Sequence, residues 1–484
     1  MLKQTVTEKF TRKDWLGGYR SLTQEMSYWI EEMDGTVPAG LTGTVFRNGP
    51  GLLDVGGEPY LHPFDGDGMI CRISFVDGRA HFANSYVKTP QYLAEQEAQK
   101  ILYRGVFGTQ KMGGWLANAF DLRRKNIANT NVIYHNGKLL ALWEADRPYA
   151  LDPRTLATIG IEDFANQLPA GKVFTAHPRI DPSSGDIWAF GVEPGLRSKI
   201  SIYCLKPSGE LQIVSETRVQ GFCFLHDFVW TEEYAIFIQN PIQFNPLPFV
   251  LGWQTAGACI ALKPNTPSQI LLIDRQGRTR TYVTEACFVF HHGNAYKQDG
   301  HLILDAVTYP DYPKLEANSD FREVDFTKVI PGQLSRFVLD LDTGTVQRRT
   351  LFPYSCEFPS LHPRCVGRPH RYLYLATIAE ACRADGNAPL QAIAKIDTET
   401  AEVQIYSFAP RGFVGEPLFI PCEADLHSPE DRGWLITMVY NAERSCSDVV
   451  ILNAQDMSHQ ATLHLKHHVP YGLHGSFVRQ TFLD

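Results

Sequence analysis

Along this chain apolar and polar residues alternate with a period near two in short runs, and turn residues break each run before a helical period can establish itself. Segments such as LLALWEADRPYALDP, ISIYCLKPSGELQIV and LILDAVTY read as β-branched and aromatic strands joined by tight turns. Helical spacing is rare. It is expected over residues 92–102 (YLAEQEAQKIL) and over residues 114–122. Aligning the turns exposes a repeat. An apolar strand, a turn rich in Asp, Pro, Gly or Asn, and a second strand recur at Asp77, Asp152, Pro207, Asp274, Asp340, Asp397 and Asn453. Five of the six gaps are about 55 to 67 residues and the first is longer. Even spacing of multi-strand units predicts an all-β fold, a seven-bladed β-propeller with loops and a few short helices, against a two-sheet sandwich with appendages. No Pro/Gly/Ser linker divides the chain, so residues 1–484 are expected to form a single domain.

Composition narrows the function more than the fold. Hydrophobic residues make up 44% and charged residues 20%, an ordinary globular balance. Net charge is −8, the pI is near 6.1, and no Lys/Arg cluster stands out, which argues against a nucleic-acid partner. Aromatics at 12% suit a large β core or an apolar ligand tunnel. Ten cysteines lie without a C-x-x-C pair, the pattern of a cytoplasmic protein with reduced thiols. The N-terminus lacks the apolar run of a secretory signal. Residues 234–262 carry no charge, but Pro241, Pro246 and Pro248 break the stretch, and Asn240, Gln243 and Asn245 could not be satisfied in hydrocarbon. It is not expected to span a membrane.

Sixteen histidines are present, and four sites share a context. TAHPRIDP (His177), FLHDFVW (His226), FHHGNAY (His291, His292) and GLHGSF (His474) each sit where an apolar run meets a turn. At the strand ends of a propeller, four imidazoles from four blades could meet at one metal, although they span about 300 residues of sequence. Imidazole suits zinc, copper, iron or nickel, so the ligand type names no metal, and four locally satisfied histidines are the plainer alternative. Three glutamates support the metal reading. Glu144 (ALWEAD), Glu357 (SCEFPS) and Glu416 (VGEPLF) lie in apolar stretches, where a charge is costly unless paired. Ligating histidines usually donate their second N–H to such a group.

The words FRNGPG (residues 46–51), HPFDGDGM (62–69), AHPRIDP, FLHDF, FHHGNAY, CEFP, GEPLF and LHGSF stand in the order seen in the carotenoid cleavage dioxygenases, and the chain resembles that family over essentially its whole length. LYRGVFG, NIANTN, LLALWEA and KHHVPYGLHGS look closer still to the cyanobacterial apocarotenoid-15,15′-oxygenases within it. The resemblance implies a propeller whose short helices and loops cap an axis bearing Fe(II). It implies His177, His226, His291 and His474 as the ligands, with His291 preferred to His292 because Asn294 completes an H-x-x-N pattern. Glu144 would then orient His226, Glu357 His291 and Glu416 His474, leaving His177 without a carboxylate. The implied reaction is dioxygen-dependent cleavage of a conjugated C=C bond, the 15,15′ bond of an apo-carotenal, to give retinal. A stilbene-cleaving relative and a non-catalytic, protein-binding propeller are the alternatives. The Gly- and Asp-rich words at 46–51 and 62–69 are expected to build the propeller closure.

An apolar polyene needs an apolar tunnel and a way in from lipid. Trp143, Phe224, Phe290 and Phe358 lie beside candidate site residues and are expected to line the tunnel. Trp115, Leu116 and Phe120, together with Phe249, Leu251 and Trp253, are expected to form a patch that touches the membrane. Arg123, Arg124 and Lys125 would meet anionic lipid beside it. The expected setting is therefore cytoplasmic with peripheral membrane contact.

Overall fold

The computed structural model describes residues 9–263, 265–314, 319–422 and 428–483. Seven sheets of four or more strands follow one another along the chain as the blades of a propeller. Their inner strands are, from blade 1 to blade 7, Gly475–Val478, Asn131–His135, Arg179–Ile180, Val229–Trp230, Phe288–Gln298, Cys356–Ser360, and the pair Gly412–Val414 and Leu418–Pro421. All seven turns of the sequence repeat join the third and fourth strands of a blade, counted outward. Those hairpins lie towards the outer side of each blade, where local chemistry decides the turn. Asp152, Asp274, Asp340 and Asp397 each accept two backbone N–H bonds through Oδ1, and Asn453 accepts one. Fourth strands such as Leu211–Gln220 and Thr279–Thr284 alternate exposed and covered residues, whereas second and third strands are buried almost throughout.

Apolar seams between blades hold the ring. Between blades 3 and 4, Trp188 stacks on Trp230 at 3.5 Å, with Phe190, Phe228 and Phe237 beneath them. Burying side chains of this size stabilises by about 1.5–3 kcal/mol each.

The ends of the chain overlap to close the ring. The late strand Gly475–Val478 becomes the inner strand of blade 1, pairing antiparallel with Gly43–Pro50 (Arg47 opposite Gly475). The early strand Met33–Gly35 becomes the outer strand of blade 7, on His459–His464. His474 immediately precedes the closing strand, so ring closure itself delivers it to the axis.

The longer first repeat is explained by residues 87–130, which leave the propeller between blades 1 and 2. The expected helix there is Pro90–Ala98 (α2), shorter than residues 92–102. Its end is set by Glu95, which is buried and accepts from Leu102 N–H and Tyr103 N–H, folding the chain back after Gln99 turns left-handed (φ 49°). The second helix covers Gly114–Asn118 (α3) rather than 114–122. Phe120 leaves the helical region at φ 58° and its N–H bonds to Val250 O at 2.8 Å. The word at 62–69 anchors this excursion: Asp65 accepts from the N–H groups of Phe107, Gly108 and Thr109. Lys125 is not a lipid contact. It is buried among Asp67, Glu95 and Tyr60 at 2.5–2.8 Å, because an ammonium there neutralises two carboxylates that would otherwise be unpaired. Of residues 234–262, Tyr234–Gln239 is the second strand of blade 4, and the rest form a second excursion that carries a short helix, Pro246–Val250 (α4). No helix among the described residues is long and apolar enough to cross a membrane. Eight of the ten cysteines are buried.

Candidate metal centre

Four of the blades bring one histidine each to a common point. His177 lies just before the inner strand of blade 3, His226 before that of blade 4, His291 within that of blade 5, and His474 before that of blade 1. One ring nitrogen from each falls in a set whose members all lie within 4.8 Å of one another. His292 is not in the set. Side chains of successive strand residues point to opposite faces, so His291 faces the axis and His292 turns towards Asp227.

The three glutamates fix three of the rings. His226 Nδ1–H donates to Glu144 at 2.7 Å, His291 Nδ1–H to Glu357 at 2.5 Å, and His474 Nδ1–H to Glu416 at 2.8 Å. With Nδ1 committed, Nε2 carries the free lone pair in each. No carboxylate among the described residues hydrogen-bonds the His177 ring. Its Nε2 stands 2.9 Å from His226 Nε2 instead. The buried His291 Nε2 has no hydrogen-bond partner among the described residues. Lone pairs converging without donors, one of them orphaned, are what a divalent metal satisfies, and the donor set fits one.

The electrostatics show the same coupling. Burial alone would push the three carboxyls up. The charge and hydrogen bond of the adjacent imidazole outweigh it, and each lies below the ordinary carboxylate value. Burial also opposes charge on the rings, but Glu357 overcomes it at His291, whose pKa is raised. His474 is held below the ordinary value, and His177 well below it, first by burial and then by their neighbouring imidazoles. A proton therefore settles on His291 more readily than on His474 or His177.

Several groups that sequence inspection passed over complete the framework. Tyr309 O–H donates to Glu357 Oε1 at 2.5 Å. Arg47 donates to the backbone carbonyl of Glu416 at 3.0 Å, to its carboxylate at 3.4 Å, and to Leu473 O at 3.2 Å. Asn48 exchanges backbone bonds with His474 and Leu473. The word FRNGPG thus clamps His474 as well as closing the ring, and only its Arg inside an apolar strand hinted at this. Phe358 adopts φ 59°, a costly conformation for a bulky residue, and presents its ring 5.8 Å from His291 and 5.3 Å from His474.

Above the cluster lies a chamber of about 430 Å³, within the usual range for ligand sites. Trp143, Phe224, Phe290 and Phe358 all line it, as do Glu144, Glu357, His226, His291 and His474. Trp15 from helix Arg12–Leu16 (α1), together with Tyr19, Phe107, Tyr312, Phe326 and Leu390, forms much of the rest. Beside the chamber, α3 and α4 pack together and expose Trp115 (54%), Leu116 (72%), Phe120 (73%) and Trp253 (52%). Met112, Leu122 and Leu247, close to these in the chain, are exposed as well. Phe249 and Leu251 are half-buried, a correction to the expected patch: the Phe249 ring lies under the Arg104 guanidinium at 4.2 Å. The α4 excursion then reaches the chamber wall at Gly257 and Ala258.

Comparison with known proteins places this arrangement. The family model described as retinal pigment epithelial membrane protein matches residues 19–479. The chain is 46% identical to the apocarotenoid-15,15′-oxygenase of Synechocystis sp., covering 97% of each, and 30% identical to resveratrol cleavage oxygenase 1 of Aspergillus fumigatus, covering 92% of this chain and 91% of that one. A solved structure of cobalt-substituted Synechocystis apocarotenoid oxygenase superposes with a TM-score of 0.94 at 45% identity, over 98% of this chain and all of the other.

Proposed function

This chain belongs to the retinal pigment epithelial membrane protein family, whose relatives include carotenoid cleavage oxygenases, and from that membership we propose that it is an iron(II) oxygenase that splits the 15,15′ double bond of an apo-carotenal to give retinal. The observation that carries the reading is the juxtaposition of four converging imidazoles with an apolar chamber large enough for a polyene. His177, His226, His291 and His474 would hold the metal, which when bound would supply activation of dioxygen. Glu144, Glu357 and Glu416 keep three rings in the tautomer that offers Nε2, and Tyr309 and Arg47 hold two of those carboxylates in turn. Trp143, Phe224, Phe290 and Phe358 exclude water and lay the conjugated chain beside the imidazoles. Apo-carotenals, carotenes and stilbenols offered in parallel, with products identified by mass spectrometry, test the assignment. Retinal from an apo-carotenal is expected, whereas cleavage of stilbenols alone would overturn the substrate class.

Peripheral membrane contact belongs to the same proposal, because a polyene is nearly insoluble in water and the exposed apolar surface adjoins the chamber wall. Each fully buried side chain of that surface contributes about 1.5–3 kcal/mol to association. Changing Trp115, Leu116 and Trp253 together to serine is therefore expected to lower liposome binding at least tenfold, by order of magnitude. The apparent KM for membrane-delivered substrate should rise, with turnover of detergent-dispersed substrate unchanged. Co-sedimentation with liposomes and the two assays check this. Undiminished binding, or equal loss in both assays, would place substrate entry elsewhere.

A further inference from the structure

Two cavities meet at the four histidines, and only one suits a polyene. The second, of about 120 Å³, has room for several waters at roughly 10–15 Å³ apiece. It reaches the cluster from the side of His177, and His291 and His474 line both cavities. Its own walls are polar and include Asn131, Arg179, Asp227 and His292. Pro178, Arg179 and Pro359 keep partial solvent exposure, and Ile180 beside them is 48% exposed, so this cavity leads towards the outer surface.

His292 is the anomaly there. It is 3% exposed, yet neither ring nitrogen has a hydrogen-bond partner among the described residues. Its Nδ1 stands 3.6 Å from Asp227 Oδ2, too far for a hydrogen bond. Asp227 is itself occupied, accepting from Arg179 at 2.7–2.8 Å and from His292 N–H at 2.7 Å. A buried imidazole left unpaired is costly. Either water or a passing cation would satisfy it, but the charge around the centre favours a cation. Among the described residues, the carboxylates Glu144, Glu357, Glu416 and Asp227 outnumber by two the guanidinium groups paired with them, Arg47 and Arg179. Away from the cluster itself the chamber wall is mostly aromatic and aliphatic and offers a hydrated dication little in exchange for its water, whereas the wall of the second cavity is polar.

We propose that this polar cavity is the loading route for the metal, with the His292 imidazole as a transient ligand for a divalent cation on its way to the four histidines. The proposal rests on the reading of those histidines as the metal centre. Transit differs from permanent ligation in one respect: a block slows arrival and departure equally and leaves the equilibrium alone.

The test uses the full chain stripped of metal by a chelator and recharged with Co(II). Uptake is followed by stopped-flow visible absorption, and release by transfer to a competing chelator. His292→Phe, which removes the nitrogens and fills the space, should slow both rates at least tenfold with Kd within twofold. His292→Gln, which keeps a donor oxygen, should stay within threefold of the unaltered protein. Should His292→Phe not fold, His292→Leu carries the same measurement. Filling the chamber with a saturated long-chain alcohol should leave the uptake rate unchanged. Unchanged rates in His292→Phe, a fall in affinity that matches the fall in rate, or loading blocked by the alcohol would each overturn the route. No Co(II) uptake by the unaltered protein would instead overturn the metal centre itself.

Discussion

Replacing His177, His226, His291 or His474 with alanine is expected to leave the purified protein without retained iron and without measurable turnover, while the fold persists. Each ring supplies one of four converging nitrogens, and alanine removes the donor without offering another. The histidines sit at or just before inner strands, and the seams that hold the ring lie elsewhere, so circular dichroism and thermal unfolding should change little. His292→Ala should behave differently and keep measurable iron and turnover. The two neighbours are told apart by strand geometry: Glu357 holds the His291 ring towards the axis, whereas His292 faces Asp227. Metal analysis of the five variants decides the point. Iron kept by His291→Ala and lost by His292→Ala would invert the assignment and remove the H-x-x-N argument with it.

Changing Glu144, Glu357 or Glu416 to glutamine should keep the fold and weaken iron affinity or turnover about 10- to 100-fold. An amide can present its N–H₂ to Nδ1 and so select the wrong tautomer, and it withdraws the charge that makes the ring a stronger donor. Glu357→Gln carries an additional signature. In the metal-free protein His291 has a raised pKa, because the Glu357 charge and hydrogen bond outweigh burial. Metal and proton compete for that ring, so affinity falls as pH drops through a value above the ordinary histidine pKa of about 6.5. Without the carboxylate the ring loses its proton more readily. The pH at which affinity begins to fall should therefore move down, even though affinity at high pH is lower. A titration of Co(II) affinity against pH reads both effects. An onset that does not move would show that Glu357 positions the ring sterically and leaves its basicity alone.

What could be read in advance was local. The seven turns at Asp77, Asp152, Pro207, Asp274, Asp340, Asp397 and Asn453 announced seven blades because each is an exposed hairpin whose turn is made by its own side chains and backbone. The shared contexts of the four histidines, and three charges inside apolar runs, marked the candidate centre for the same reason: a buried polar group stands out against its immediate neighbours. The lengths of α2 and α3 were overestimated because their ends are set by distant partners. Lys125, the half-buried Phe249 and Leu251, and the exposed Met112, Leu122 and Leu247 could not be sorted by composition alone, since burial depends on what another excursion of the chain lays over them.

Blade count, turn chemistry and the residue types of the candidate metal centre were thus determined by the sequence itself, through interactions spanning a few residues. The tertiary structure alone decided which nitrogens converge, that Arg47 and Tyr309 brace Glu416 and Glu357, that Phe358 is held at positive φ, and that a second, polar cavity meets the centre beside His292. The physical reason is ring closure. Pairing Gly475–Val478 with Gly43–Pro50 joins residues more than 400 positions apart, and it brings His474 within reach of three histidines whose strands were never its neighbours in the chain.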